Sequence, residues 1–412
     1  IPEPELDFWG KVSKSVIRDP NPMRGLLQNR PYDHEFHSNF KTNVKLGIIC
    51  PNSYTLQFKE FLNGLNEGIS VSGTDYVQPY IGFEQIYSSS LDIPTVNSNL
   101  WVKCNDIQYD SIKAYAAQNG FTTQFVEEKT IVNTRMRNQI YWWLSLALFV
   151  KSMRIPWALS DLDADTAYAG IGYSVKKEIS GKTNIVVGCS HIYNSKGQGL
   201  RYKLSKINNP ILDRKNNPYL SYEEAYKLGI NIQELFVKSM DKMPQRVVIH
   251  KRTPFKEDEI KGITDALSHA GIKSIDLVTI TMEDSIKCID QYLKYGHPTN
   301  ALFPVMRGVC FAVSKYECLL WTHGTIDSVK PNRNYFPGGR GIPSPLRIIK
   351  YHGNGSMQTI AGEILGFTKM NWNSFNFYTK FPATIDTSNT LAQVGNLLGY
   401  YDGRTYDYRY FI

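Results

Sequence analysis

From Val44 onward, short apolar runs alternate with longer stretches of helical spacing. The run "VKLGIIC" (44–50) stops at Pro51 and reads as a strand buried on both faces. Residues 54–69 place Phe58, Leu62 and Leu65 on one helical stripe. The alternation continues with strand-like "LWVKC" (100–104), a helix from Tyr109, strand-like "TQFVEE" (123–128), a helix over 135–152 and "WALS" (157–160). Beyond Ser160 the pattern changes. "AYAGIGYSV" (167–175), "NIVVGCSHIY" (184–193) and "GLRYKLSKI" (199–207) predict three adjacent strands of a meander. Residues 221–243 predict a helix, interrupted or bent near Gly229. "RVVIHKR" (246–252) is a strand, and 255–271 an amphipathic helix ended by Gly271. "SIDLVTI" (274–280), "NALFPVM" (300–306) and "GVCFAV" (308–313) predict further strands. Residues 1–40, rich in Pro, Asn and Arg, show no period and read as an extended lead-in.

Strand–helix alternation over 41–160 predicts a Rossmann-like open α/β sheet, whose ligands sit at strand carboxyl ends beside helix N-termini. Hairpin strands followed by α/β units over 161–412 is the order of an RNase H-like domain. The chain has 412 residues, beyond the usual ceiling for one core, so two domains are expected. Its 42% hydrophobic and 13% aromatic content excludes a disordered chain. The formal charge of +8 is mild for a nucleic-acid binder, which would concentrate its basic groups in a channel. Six cysteines (Cys50, Cys104, Cys189, Cys288, Cys310, Cys318) lack CxxC spacing or an accompanying His cluster. They predict free thiols in a reducing cytoplasm, not zinc. The apolar run 140–150 is far too short for a bilayer and predicts a buried helix. No signal peptide heads the sequence.

Four polar residues carry the chemistry. Tyr109 and Lys113 are four apart and share one face of their helix. Gln124 follows the turn "NGFTTQ", and Lys151 closes the helix over 135–152. Two ammonium groups with neutral donors suit a dianionic phosphate. A Tyr-x3-Lys pair alone is commonly a solvated helix face, so the information lies in the ordered set. That set, "YDSIK" (109–113), "TTQFV" (122–126) and "KSMRIPW" (151–157), resembles the MID domain of prokaryotic Argonaute proteins. "YAGIGYS" (168–174), "RVVIHKR" (246–252), "GIPSPLRI" (341–348), "ILGFTKMNWNS" (364–374) and "FPATIDTSNTLA" (381–392) look like successive PIWI landmarks. The resemblance runs from about Leu6 to Ile412. It implies a lead-in over 1–40 packed on PIWI, a MID domain over 41–160 and a PIWI domain over 161–412.

By the same resemblance, Tyr109, Lys113, Gln124 and Lys151 bind the 5′-phosphate of a guide strand. A Mg²⁺ ion bridges that phosphate, Gln124 and the carboxylate of Ile412. The other reading of "YRYFI" is an apolar tail plugging a groove. RNase H-like nucleases need carboxylates around two metal ions. At the family's ligand positions this sequence has Gly172, Arg252 and Asn389. The loop 192–205 offers no acid. Asp161, Asp163 and Asp165 share one face of an extended segment, but the Gly and Glu of a calcium loop are absent, so a solvated turn is expected. His250 is expected to be a strand histidine without a carboxylate partner, and Asp386 is a residual ligand candidate.

A PIWI domain without those ligands predicts a pseudo-nuclease. Arg252 either holds the duplex backbone or is an ordinary surface arginine; Arg333, Arg340 and Arg347 are further backbone candidates. MID–PIWI chains of this size resemble the short prokaryotic Argonautes. Their partner carries an APAZ domain fused to an effector: a TIR or sirtuin-like NAD-consuming module, or a nuclease. The implied role is cytoplasmic immunity, with a guide RNA finding target DNA and pairing activating the effector without cleavage. Two alternatives stand beside it. One is a guided endonuclease with rearranged ligands. The other is a nucleotide-binding regulator, which lacks its phosphate loop here, since "GRGIPSP" and "GNGSM" do not link a strand to a helix.

Overall fold

The computed structural model describes residues 1–37, 43–70, 77–105, 109–160, 162, 165–177, 184–194, 196–207, 211–215, 217–330, 333–338, 341–395 and 405–410. The chain divides into two compact units. The smaller comprises Glu5–Ser160, Trp372–Phe377 and Arg409–Ile412; the larger comprises Ile1–Pro4, Asp161–Asn371 and Tyr378–Tyr408.

In the smaller unit the lead-in departs from the extended segment expected. Leu6–Trp9 pairs antiparallel with both Val16–Asp19 and Ala158–Leu159. Leu6 and Phe8 are fully buried, which ties this strand to the smaller unit's core. Asn21 then starts the helix Pro22–Gln28 by accepting from the Met23 and Arg24 amides, with proline supplying the first helical φ. Only residues 1–4 group with the larger unit. There Glu3 accepts from Arg307 Nε at 2.8 Å and Lys369 Nζ at 2.5 Å.

The run 44–50 breaks at Gly47 into two short strands. Asn43–Lys45 lies parallel to Ser90–Asp92, and Ile48–Pro51 parallel to Trp101–Cys104. The helices Thr55–Glu67 and Arg137–Lys151 supply an aromatic core. Phe61 meets Tyr141 at a centroid distance of 5.2 Å, and the Tyr141 hydroxyl donates to Phe61 O at 2.9 Å. Trp142 and Phe149 are fully buried, so the 140–150 run is an interior helix as its composition predicts. No described helix is long and apolar enough to cross a membrane. Residues 121–127, expected to include a strand, belong to no regular element.

A nine-stranded sheet organises the larger unit. Its order is Cys310–Ser314, Glu317–Leu320, Leu346–His352, Ser274–Met282, Arg246–Lys251, Thr166–Lys177, Asn184–Tyr193, Gly199–Ile207 and Thr405–Asp407. The meander over 166–207 is antiparallel, and Arg246–Lys251 runs parallel to its neighbours on both sides. The helix Tyr222–Met240 passes Gly229 unbroken, contrary to the expected bend. Gly229 serves packing instead: a Cβ there would lie 2.7 Å from that of Ala266 on the helix Glu257–His269. Gly262 reciprocates, since its Cβ would meet Tyr222 O at 2.5 Å. "NALFPVM" is not a strand. Residues 291–300 form a hairpin, Gln291–Lys294 with His297–Asn300, turning at Tyr295 and Gly296, both at positive φ.

Candidate functional site

The smaller unit gathers the four expected residues at the carboxyl end of the Arg137–Lys151 helix. Lys151 is the last residue of that helix, where exposed carbonyls favour a cation. Its ammonium donates to Gln124 Oε1 at 2.5 Å. The segment carrying Gln124 is held by Thr122, whose hydroxyl donates to Lys151 O at 3.0 Å. Gln124 Nε2 donates to Phe125 O at 2.9 Å. The Phe125 ring in turn lies 4.3 Å from that of Tyr109, at the start of the helix Tyr109–Gln118. One turn on, Lys113 is 5% exposed and Lys151 7%. Among the described residues no carboxylate pairs with either lysine. Burial brings Lys151 down to about 7, with the nearby Lys113 charge adding to the effect. Burial lowers Lys113 too. Burying two amines with no described carboxylate partner is costly, and an anion beside them would offset that cost.

Beside Lys151 opens a cavity of about 460 Å³, with Thr122, Gln124, Glu128 and Lys151 in its polar lining and Ile48, Phe58 and Leu148 in its apolar lining. Thr123 also lines it, and its buried hydroxyl has no partner among the described residues. Sequence reasoning missed Thr123 and Phe125, although both stand in the motif around Gln124. Ile412 lies outside the described residues. Gln124 Oε1, the expected side-chain ligand of Mg²⁺, is already occupied by the Lys151 ammonium, an arrangement that does not fit a divalent cation.

In the larger unit the expected cleavage positions come from elements that do meet. Lys251 pairs with Ile171, so the next positions, Arg252 and Gly172, follow side by side. The start of the helix Ala383–Gly395 presses on both strands. A Cβ on Gly170 would lie 1.8 Å from Thr384 O, and His250 Nδ1 is 2.8 Å from Thr384 Oγ1. Burial, helped by Arg246, takes His250 down to about 3 and keeps it neutral. Its buried Nε2 has no hydrogen-bond partner among the described residues. Arg252 is exposed, with its guanidinium 4.9 Å over the Phe381 ring. Burial raises Asp386 to about 6, while Arg252 pulls the other way. The Asn389 side chain lies outside the described set.

No group of three or more His, Cys, Asp or Glu that could hold a metal occurs among the described residues. Asp161 and Asp163 lie outside them, and Asp165, at φ 68°, is ion-paired with Lys242. Cys50, Cys104, Cys288, Cys310 and Cys318 are free thiols. Two buried acids of the larger unit are committed to an ion pair: Arg246 donates to Asp276 at 2.8 Å and also pairs with Glu363, which accepts from the Tyr168 hydroxyl. Of the further arginines, Arg347 is bound to Glu317 at 2.7 Å and lies 3.5 Å from Glu283. Two carboxylates already occupy it, which counts against a backbone contact. Arg340 and the Arg333 side chain lie outside the described residues.

The mixed α/β architecture is that of Argonaute structures, which have MID domains and RNase H-like PIWI domains. Clostridium butyricum Argonaute, bound to a guide DNA and a 19-mer target DNA, aligns over 100% of this chain and 54% of its own, with TM-score 0.70 and 14% identity. Aquifex aeolicus Argonaute with externally bound siRNA aligns over 99% of this chain and 56% of its own, with TM-score 0.61 and 18% identity. In sequence, the curated Protein argonaute of Aquifex aeolicus (strain VF5) is 22% identical over 289 residues. That match covers 69% of this chain and 35% of the relative. The chain thus spans about a third to just over half the length of the proteins it resembles. No family model matches it.

Proposed function

We propose that this chain is a short prokaryotic Argonaute that recognises nucleic acid through a guide. In this reading Lys113, Lys151, Gln124 and Tyr109 hold the 5′-phosphate of a small RNA. The observation carrying it is a pair of buried lysines, Lys113 and Lys151, that no described carboxylate pairs with, Lys151 lining a cavity, within an Argonaute-like fold. The dianion supplies the missing counter-charge; Lys113 and Lys151 neutralise it, and the Tyr109 hydroxyl and Gln124 amide donate. The exposed base pairs with a complementary DNA target. The larger unit holds that duplex without cutting it, since Gly172 has no ligand and Arg252 brings a cation to the place of a carboxylate. Target pairing then acts through a partner with an APAZ domain and a TIR, sirtuin-like or nuclease effector, in prokaryotic immunity.

Charge-assisted hydrogen bonds contribute roughly 1.5–3 kcal/mol each. Lys113→Ala or Lys151→Ala should therefore weaken a 5′-phosphorylated oligoribonucleotide by about tenfold or more and leave its 5′-hydroxyl counterpart nearly unchanged. Equal losses for both oligonucleotides would refute the assignment. The guide-loaded protein should leave a matched DNA target intact with Mg²⁺ or Mn²⁺. A single cut opposite the guide would establish the alternative, an endonuclease with rearranged ligands.

A further inference from the structure

The strand Cys310–Ser314 ends the nine-stranded sheet, and no described strand pairs with its outer edge. Exposed edges template the addition of another chain, and native proteins blunt them with lysine, proline or an inward charge. This one reads CFAVS and carries none of these. Phe311 stands opposite Leu319, so the two share a face. On that face Leu319 is buried with Val305 and Trp321, and Cys288 packs against the cluster. Cys288 is near the root of the 291–300 hairpin, so edge strand and hairpin rise from neighbouring ground.

The hairpin is unusual in being exposed on nearly every residue of both strands. A two-stranded ribbon with nothing against it is at best marginally stable in water. This ribbon also carries large apolar groups: Leu293 is 73% exposed and Tyr295 92%, beside Phe311 at 62%. Within the hairpin and the edge strand the charge is basic: no Asp or Glu occurs from Gln291 to Tyr316, and Lys294 and Lys315 are exposed. The flanking acids are Asp290 at the hairpin root and Glu317, which pairs with Arg347. Nucleic acid could use the tyrosines and lysines, but it gives Leu293, Leu302 and Phe311 nothing to bury against, and the stretch exposes no arginine. An extended peptide with alternating apolar and acidic residues answers every feature at once.

We propose that Cys310–Ser314 and the 291–300 hairpin form a docking surface for an extended acidic-and-apolar segment of another protein, which adds to the sheet edge as a further strand. The need for a protein partner rests on the function proposed above; the surface itself does not involve the phosphate site. Main-chain hydrogen bonds along 310–314 hold the segment, its apolar side chains cover Phe311 and Leu293, and its carboxylates face Lys294 and Lys315.

The probe is a fluorescein-labelled peptide alternating valine and glutamate, compared with a valine–lysine peptide and an oligothymidylate. The acidic peptide should bind preferentially and slow amide exchange at 310–314. Phe311→Lys and Leu293→Glu should each weaken it by about tenfold. Leu293→Glu lies on the exposed hairpin, so it tests the surface even if Phe311→Lys perturbs the sheet. Both variants should still bind the 5′-phosphorylated oligoribonucleotide as wild type does. Equal binding of the lysine peptide, preference for oligothymidylate, unchanged exchange at 310–314, or self-association abolished by Phe311→Lys would each overturn the proposal. Should wild type hold the acidic peptide but ignore the phosphorylated oligonucleotide, the guide reading fails and the docking surface stands.

Discussion

Lys151 has a folded value near 7, well below that of an exposed lysine, because burial and Lys113 disfavour its charge. Between pH 7 and the ordinary lysine range the unfolded chain binds more protons there than the folded chain. Its contribution to stability therefore rises with pH across that window and is lost as pH falls towards 7. Binding runs in the opposite direction, since only the ammonium form attracts a dianion. Affinity for a 5′-phosphorylated guide should decline as pH is raised above 7, while a 5′-hydroxyl guide shows no such slope. Binding isotherms across pH 6.5–9 check this, and Lys151→Met should flatten the dependence. The spacing of Tyr109, Lys113, Gln124 and Lys151 was legible in the sequence because a helix face and a helix end are local. The packing of Phe125 on Tyr109 and the unpartnered Thr123 hydroxyl were not, because they depend on how an irregular segment folds over the cavity.

At the level of elements, the two reciprocal glycines give the sharpest test. Exchanging glycine for alanine inside an exposed helix gains about 1 kcal/mol of propensity. At Gly262 the added methyl would lie 2.5 Å from Tyr222 O, a backbone atom that cannot rotate away. Overpacking typically costs ~1–3 kcal/mol, so the clash outweighs the propensity. Gly262→Ala should lower the urea midpoint, as should Gly229→Ala; a rise in either would mean that the helices separate freely. Sequence reading took Gly229 for a bend because it weighed propensity and could not see the partner helix. Other errors have equally definite causes. "NALFPVM" is apolar enough for a strand, yet Val305 is buried as a connection under Trp321. "TQFVEE" has an aromatic and β-branched centre, Phe125–Val126, but pairs with no strand among the described residues. By contrast, Arg246–Lys251 and Glu257–His269 were legible because one has the β-branched apolar centre Val247–Ile249 and the other shows a clean helical stripe.

Over the whole molecule, the two compact units meet in sequence at Ser160 and Asp161, where short separate sheets give way to strands of the nine-stranded sheet. The fate of the first residues was not legible in the sequence: whether Glu3 meets Arg307 is settled by a partner about three hundred positions away. The buried Lys151 amine at the end of the Arg137–Lys151 helix, with no carboxylate partner among the described residues, has a consequence beyond affinity. A pocket that is partly uncharged when empty and fully charged when filled must draw hydrogen ions from its surroundings as the guide enters. Near neutral pH the calorimetric heat of loading should therefore follow the buffer, being less exothermic in Tris than in phosphate, because Tris absorbs more heat when it releases its proton. Identical heats in the two buffers would show that Lys151 already carries its charge before any guide arrives.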